Sequence, residues 1–300
     1  MDSGDEATVA SLLERTTFPD PSRPVTCAVS GGPDSLALLV LACASGRDVT
    51  AVHVDHGLRE GSAGEADVVA EAARRFGAAF RSVSVEVGDG PNLEARAREA
   101  RYAVLPTDVC TGHTADDRAE TMILNLLRGA GPAGLGALRP GVRHPILALR
   151  RAETVALCDR LGLRPVTDPS NADPRHRRNR VRREVLPLLA DVAGRDVVPV
   201  LARQGDLFAE LDEDLVAAAV DVDPTDATAL RTVSRAVART AVRLWLIESG
   251  VGDGHPPDSG AVQRVLDVAA GDVRATEVAG GWRVARTAGR LRLEPPAQPA

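Results

Sequence analysis

Apolar residues in the first half of the chain fall into short runs separated by longer stretches with helical spacing. Four runs read as strands: 24–30 (PVTCAVS), 49–55 (VTAVHVD), 80–87 (FRSVSVEV) and 108–112 (DVCTG). Helical patterns occupy 33–45, 63–77, 92–105 and 114–128. Strands alternating with helices of this length predict right-handed βαβ units and a mostly parallel sheet covered on both faces. Ligands of such sheets bind beyond the carboxyl ends of the strands. Three stretches, SGGPDS, HVDHGLR and TGHTADD, fall at those ends, so they converge on one rim.

Further along the pattern changes. RGAGPAGLGALRPG at 128–141 reads as a loop, a helix near 151–162 leads to the turn-rich RPVTDPSNADP, and a basic helix is expected to run to Pro187. From about 195 the chain becomes rich in alanine and leucine at helical spacing, broken by DVDPTDAT and SGVGDGHPPDSG. The tail TEVAGGWRVARTAGRLRLEPP alternates well enough for a hairpin. An α/β domain over 1–194 and a smaller, mainly helical one over 195–300 are therefore expected.

Composition adds three constraints. No run approaches the roughly 18 to 20 apolar residues of a membrane span, and the acidic start MDSGDEA lacks the form of a signal peptide. A cytoplasmic protein with no membrane partner is expected. Cys27, Cys43, Cys110 and Cys158 lie far apart, which supports neither a disulfide framework nor a zinc site. All 36 basic residues are arginine, so no lysine of this chain can serve as a phosphate-loop lysine or general base.

The SGGPDS stretch carries the most specific chemistry. Backbone N–H groups at Gly31 and Gly32 can form an anion nest, the Ser30 and Ser35 hydroxyls add donors, and Pro33 suits a first helical position. Asp34 would repel a phosphate unless a magnesium ion lay between them. In TGHTADDRAET, Thr114 can cap a helix with Asp117 as its reciprocal partner, while Asp116 and Glu120 share one face. His113, Asp116, Asp117 and Glu120 together suit a metal ligand plus a proton acceptor. His53, Asp55, His56 and Arg59 suit contacts to nucleotide or substrate better than metal, because a His-x-x-His in a strand points its rings to opposite faces. RHRRNRVRR at 175–183 holds six arginines and no acid, which favours phosphate-backbone binding despite a net charge of −6. Arg96, Arg98 and Arg101 add to it, balanced by glutamates.

These residues resemble a family. SGGPDS is similar to the pyrophosphate-binding loop of the N-type ATP pyrophosphatases, which adenylate a carbonyl oxygen and need no phosphate-loop lysine. Within that group, HVDHGLR, GPNLEARAREARY, TGHTADDRAET, LRGAGPAGLGAL, HPILALRR and DPSNADPRHRRNRVRREVLPLL resemble, in order, the tRNA(Ile)-lysidine synthases. The resemblance spans roughly 24–190 and implies a Rossmann-like α/β fold. It implies a ligase that uses ATP to adenylate O2 of the wobble cytidine of an isoleucine tRNA with a CAU anticodon. The ε-amine of free L-lysine then attacks C2 and expels AMP.

By that resemblance Ser30, Gly31, Gly32, Pro33, Asp34, Ser35 and His53 would bind ATP, with Asp34 and Asp116 on Mg2+. Asp34, His113, Asp116, Asp117 and Glu120 would be catalytic, and one of the carboxylates would take a proton from lysine. Arg96, Arg101, Asp168, Ser170, Asn171, Arg175, Arg178, Asn179 and Arg182 would contact tRNA or substrate. Thr114 stands where a second histidine is common in the family, and Arg118 where glutamine is common. Longer relatives carry another C-terminal domain, so recognition of the tRNA acceptor region would be reduced or would fall to residues after about 195. The oligomeric state, a dimer included, stays open. The rivals are a tRNA thiolase on the same domain, against which the scattered cysteines argue, an ATP-dependent amidotransferase, and a non-catalytic RNA-binding module.

Overall fold

The computed structural model describes residues 2–55, 57, 62–88, 93–166, 173, 175–252 and 256–296, with side chains omitted at 62, 63 and 93–95. Two compact units divide the chain: residues 1–124 with 138–203, and residues 125–137 with 204–300.

The first unit opens with α1 (Ser3–Leu13), which the hydropathy pattern did not announce and which a reciprocal Asp2–Asp5 cap begins. Then β1 (Val25–Ala28), α2 (Pro33–Ala44), β2 (Val49–Asp55), α3 (Ser62–Phe76), β3 (Ala79–Ser84), α4 (Leu93–Ala103), β4 (Cys110–Thr111) and α5 (Ala115–Leu127) alternate as the pattern predicted. The strands form one parallel sheet in the order β3-β2-β1-β4. Chain order reverses at β1, so a crevice opens between the carboxyl ends of β1 and β4. Cys27 pairs with Cys110 and Ala28 with Thr111, which sets the two following loops side by side.

Helix α2 fixes the first of these loops. Leu36 to Ala42 are all buried, and an α-helix that is apolar all round belongs inside a protein. Each fully buried leucine contributes about 1.5–3 kcal/mol, so the amino end of α2 is held by the core rather than by its own caps. Gly112 lets the second loop reach it: a Cβ there would lie 2.8 Å from the Asp34 carbonyl oxygen.

After α6 (Pro132–Leu135), α7 (Arg151–Arg160) packs on α2. The basic segment then forms α8 (Arg177–Arg180) and runs past Pro187 instead of stopping there. A π-helical turn at Val181–Val185 carries the chain into α9 (Leu186–Ala193), with the Leu186 N–H reaching back to the Val181 carbonyl. The wider turn accommodates a proline that brings no N–H of its own. Val181, Leu186 and Val198 bury against Ala115, Ala119 and Ile123 of α5.

Most of the second unit lies beyond α10 (Val198–Ala219): α11 (Ala227–Thr232), α12 (Arg235–Glu248) and α13 (Ser259–Ala270), capped by Asp226, Ser234 and Asp258. The tail forms β5 (Ala275–Glu277), β6 (Arg283–Thr287) and β7 (Arg290–Glu294), an antiparallel sheet one strand larger than the expected hairpin. Ala288 and Gly289 at positive φ make the β6–β7 turn. Val242, Leu246, Val265, Val268 and Val284 centre this unit's own core. Among the described residues no helix is long and apolar enough to cross a membrane.

Replacing Gly112 with alanine forces backbone apart from backbone. The expected loss is about 1–3 kcal/mol in urea unfolding. An unchanged unfolding midpoint would show that the two loops separate freely.

Candidate active site

The crevice holds a cavity of about 530 Å3 whose walls include Ser30, Asp34, His53, Arg101, His113 and Arg151. One end is the SGGPDS loop. Gly31 takes φ 86°, and its missing Cβ makes room for Val166, whose N–H donates to the Gly31 carbonyl at 2.9 Å. The Ser30 N–H donates to Ser35 Oγ at 3.1 Å, and that hydroxyl donates to the Gly32 carbonyl at 2.9 Å. Gly32 caps α2 without a side chain, so the first-turn N–H groups are left for an anion.

Beside the loop stands a cluster of four carboxylates and four guanidiniums. Arg151 reaches three acids at once: Nε to Asp34 at 3.2 Å, Nη2 to Asp117 at 2.8 Å and Nη1 to Glu120 at 2.9 Å. Glu120 has 0% of its surface exposed and also accepts from Arg178 Nε at 2.8 Å and Arg182 Nε at 2.7 Å. Asp116 takes both Arg150 Nε and Nη2 at 3.0 Å and the Arg151 N–H at 2.8 Å. Carboxylates this dry persist as ions only when paired.

The charges respond accordingly. Burial raises the Asp34 carboxyl above its ordinary range, against the opposing pull of the Thr154 hydroxyl and Arg151. Burial also acts on Asp116 and Asp117, but Arg150 wins at the first, Arg151 and Arg178 at the second, and both are held below the ordinary range. The expected cap at Thr114 forms with altered polarity: its N–H and its hydroxyl both donate to Asp117 Oδ2 at 2.9 Å.

His113 stands next to this cluster. Its Nδ1 lies 2.7 Å from Thr111 Oγ1, and His144 Nδ1 lies 2.8 Å from the same oxygen. The two rings meet edge to face with centroids 4.9 Å apart. Burial pushes His113 down to about 4, against the favourable charge of Asp117 and with help from His144, Arg178 and Arg98.

The remaining expected residues disperse. His53 is buried on β2 with Nδ1 3.0 Å from the Val29 carbonyl, and it faces the cavity. Arg101 is buried enough to lower its basicity and also lines the cavity, whereas Arg96 is half-buried on α4 outside that wall. The basic run splits. Arg178 and Arg182 turn inward to Glu120, Asn179 is buried and donates to the Asp173 carbonyl at 2.9 Å, and Arg175 is exposed and paired with Asp173. Asp168, Ser170 and Asn171 lie outside the described residues, as do His56 and Arg59. Four contributors went unsingled in the sequence: His144, Arg150, Arg151 and Thr154. The adjacent arginines closing HPILALRR were their one visible signal. Among the described residues, no three His, Cys, Asp or Glu side chains group as metal ligands.

A parallel sheet with this loop at its switch point defines a PP-loop enzyme that uses ATP, and the PP-loop domain model matches residues 2–189. A second model, the TilS substrate binding domain, matches residues 226–292. The chain is 43% identical over 249 residues to the tRNA(Ile)-lysidine synthase of Nocardia farcinica (strain IFM 10152), covering 78% of each protein. To that of Salinispora arenicola (strain CNS-205) it is 39% identical over 317 residues, covering 95% of this chain and 94% of the relative. The fold is also similar to the U34-tRNA thiolase NcsA from Methanococcus maripaludis, solved with its [4Fe-4S] cluster. That likeness has a TM-score of 0.52 at 18% identity and covers 69% of this chain and 79% of the thiolase. The chain belongs to the tRNA(Ile)-lysidine synthase family.

Removing the hub of the cluster has a defined cost. Arg151→Met leaves Asp34, Asp117 and Glu120 each short of a cation, and a loss of about 3–5 kcal/mol is expected in urea unfolding. Arg151→Lys keeps the charge but cannot span three carboxylates, so its midpoint should fall between the two. A lysine variant as stable as the parent would show that charge alone suffices.

Proposed function

We propose that this tRNA-modifying ligase joins free lysine to the wobble cytidine of an isoleucine tRNA bearing CAU, acting in the cytoplasm. The observation that carries the reading is the single cavity where the SGGPDS loop, Asp34 and the carboxylate–arginine cluster meet. ATP lies with its β- and γ-phosphates on the loop and the amino end of α2. Arg101, with a cation at the cavity wall and aromatic contact to Tyr102, meets phosphate charge. Cytosine O2 attacks the α-phosphorus, and pyrophosphate leaves toward the loop.

Asp34 fits a magnesium site. Its carboxyl is raised by burial, which an added cation relieves, and Mg2+ is commonly held by one or two carboxylates plus substrate phosphates. Bound there, the ion would neutralise phosphate charge. Asp116 fits less well: Arg150 grips both its oxygens and with the Arg151 N–H already holds it ionised, whereas each Asp34 oxygen takes one bond, from Thr154 or Arg151.

Lysine enters as an ammonium and must lose a proton before its lone pair can attack C2. Asp117 lines the cavity and is kept ionised by Arg151 and Arg178, so it is the carboxylate best placed to receive the ammonium. Displacement at C2 then expels AMP. Arg178 and Arg182 support this acidic wall by neutralising Glu120, while Arg175, Arg177, Arg180 and Arg183 remain exposed for tRNA phosphates. Residues after about 195 carry further tRNA contacts, which the substrate-binding match over 226–292 supports.

Radiolabelled lysine should enter an isoleucine tRNA transcript bearing CAU with ATP and magnesium, and should not enter a methionine tRNA. Asp34→Ala should abolish incorporation, and Arg101→Gln should raise KM for ATP about tenfold or more. Pyrophosphate release on adding tRNA without lysine incorporation would keep the adenylation and reject lysine as the nucleophile.

A further inference from the structure

Thr111, His113 and His144 lie beside the charged cluster but join none of its ion pairs. Their geometry constrains their hydrogens. Thr111 Oγ1 is 3.0 Å from the Arg143 carbonyl oxygen, which can only accept, so a bond between them uses the hydroxyl's one proton. With the proton there, the imidazole Nδ1 atoms at 2.7 and 2.8 Å both donate to that oxygen's lone pairs, an arrangement that satisfies all three contacts of the hydroxyl at once and leaves the two Nδ1 atoms, 3.2 Å apart, unbonded to each other. In that arrangement each ring is the Nδ1–H tautomer, with Nε2 as acceptor.

The frame behind this arrangement is rigid. Thr111 pairs with Ala28 in the sheet, and its N–H donates to the same Arg143 carbonyl at 2.9 Å. That carbonyl keeps the backbone N–H in any case, so what holds the hydroxyl proton on it is the satisfaction of three neighbours at once. His144 occupies the remaining lone pair and braces the His113 ring at 82°. His113 itself forms part of the cavity wall, and among the described residues none of the hydrogen bonds that hold it uses Nε2.

We propose that Thr111 and His144 are positioning residues that hold His113 as a neutral hydrogen-bond acceptor, offering Nε2 to a nucleobase amino group. A neutral donor is the natural match, since an ammonium is better served by the nearby carboxylates. Burial, His144, Arg178 and Arg98 all disfavour an imidazolium, and Asp117 alone opposes them. His113 is then a reader of a substrate N–H rather than a proton carrier. The shared chemistry is an exocyclic amine on an aromatic ring. Adenine at C6 and cytosine at C4 both carry one, the second resting on the lysine-ligase reading above.

The first test needs no activity. In the full-length protein labelled with 15N-histidine, long-range proton–nitrogen spectra should show His113 with Nδ1 protonated and Nε2 bare. The resonance is assigned by its loss in His113→Gln. Thr111→Ser should keep the pattern, and Thr111→Val should lose it. His144→Phe serves as the second disrupting variant if the valine protein does not fold. A protonated Nε2, or averaged tautomers, in the parent protein would overturn the proposal.

The second test finds the amine. Purine riboside triphosphate lacks the 6-amino group, and a tRNA with pyrimidin-2-one at the wobble position lacks the 4-amino group while keeping O2. One of the two should raise KM tenfold or more in the parent, and that penalty should shrink below twofold in Thr111→Val. Equal penalties in both proteins, in both arms, would also overturn the proposal. Failure of lysine transfer affects only the tRNA arm, so the nucleotide and spectral arms separate the two readings.

Discussion

A carboxylate with no access to water sets the terms for the first unit. Glu120 has no exposed surface, and a buried anion has to be met by cations and donors from within the protein. Three arginines meet it: Arg151 at the start of α7, Arg178 on α8 and Arg182 on the π-turn. Because Arg151 also spans Asp34 and Asp117, the same pairing fixes the acids that line the cavity. Through Arg178 and Arg182 the basic segment is thus an internal part of the site.

The sheet supplies the second constraint. Reversal of strand order at β1 places the phosphate loop and the acidic helix next to each other, although roughly 80 residues separate them along the chain. Gly31 and Gly112 then allow approaches that a side chain would block. One glycine admits Val166 above the loop, and the other admits the β4–α5 turn against α2.

Much of this was legible beforehand because buried parallel strands read as apolar runs that end in glycine, and the helices between them keep their spacing. SGGPDS and TGHTADDRAET fell where the pattern put them, at the ends of β1 and β4. Arg150 and Arg151 were not legible as site residues. Two adjacent cations at the start of a helix look like a solvated surface, and their partners at 34, 116, 117 and 120 lie far off in sequence with no periodicity to reveal them. His144 was hidden for the same reason, since its partner Thr111 lies on another element. Pro187 was overread: proline's dislike of helix interiors is a local rule, and a π-turn supplied a way around it.

The sharing of one guanidinium among three acids also governs how the chain can vary. Side chains joined in one network respond to substitution non-additively. Loss of Arg151 in the parent leaves three carboxylates each short of one cation, whereas the same loss in a chain already lacking Glu120 and Asp117 affects only Asp34. The acids and the arginine are therefore epistatic: the cost of losing one depends on which of the others remain. A single change in the cluster costs more than the same change made after its partner has gone, so substitutions that arrive in pairs meet a lower barrier than either alone.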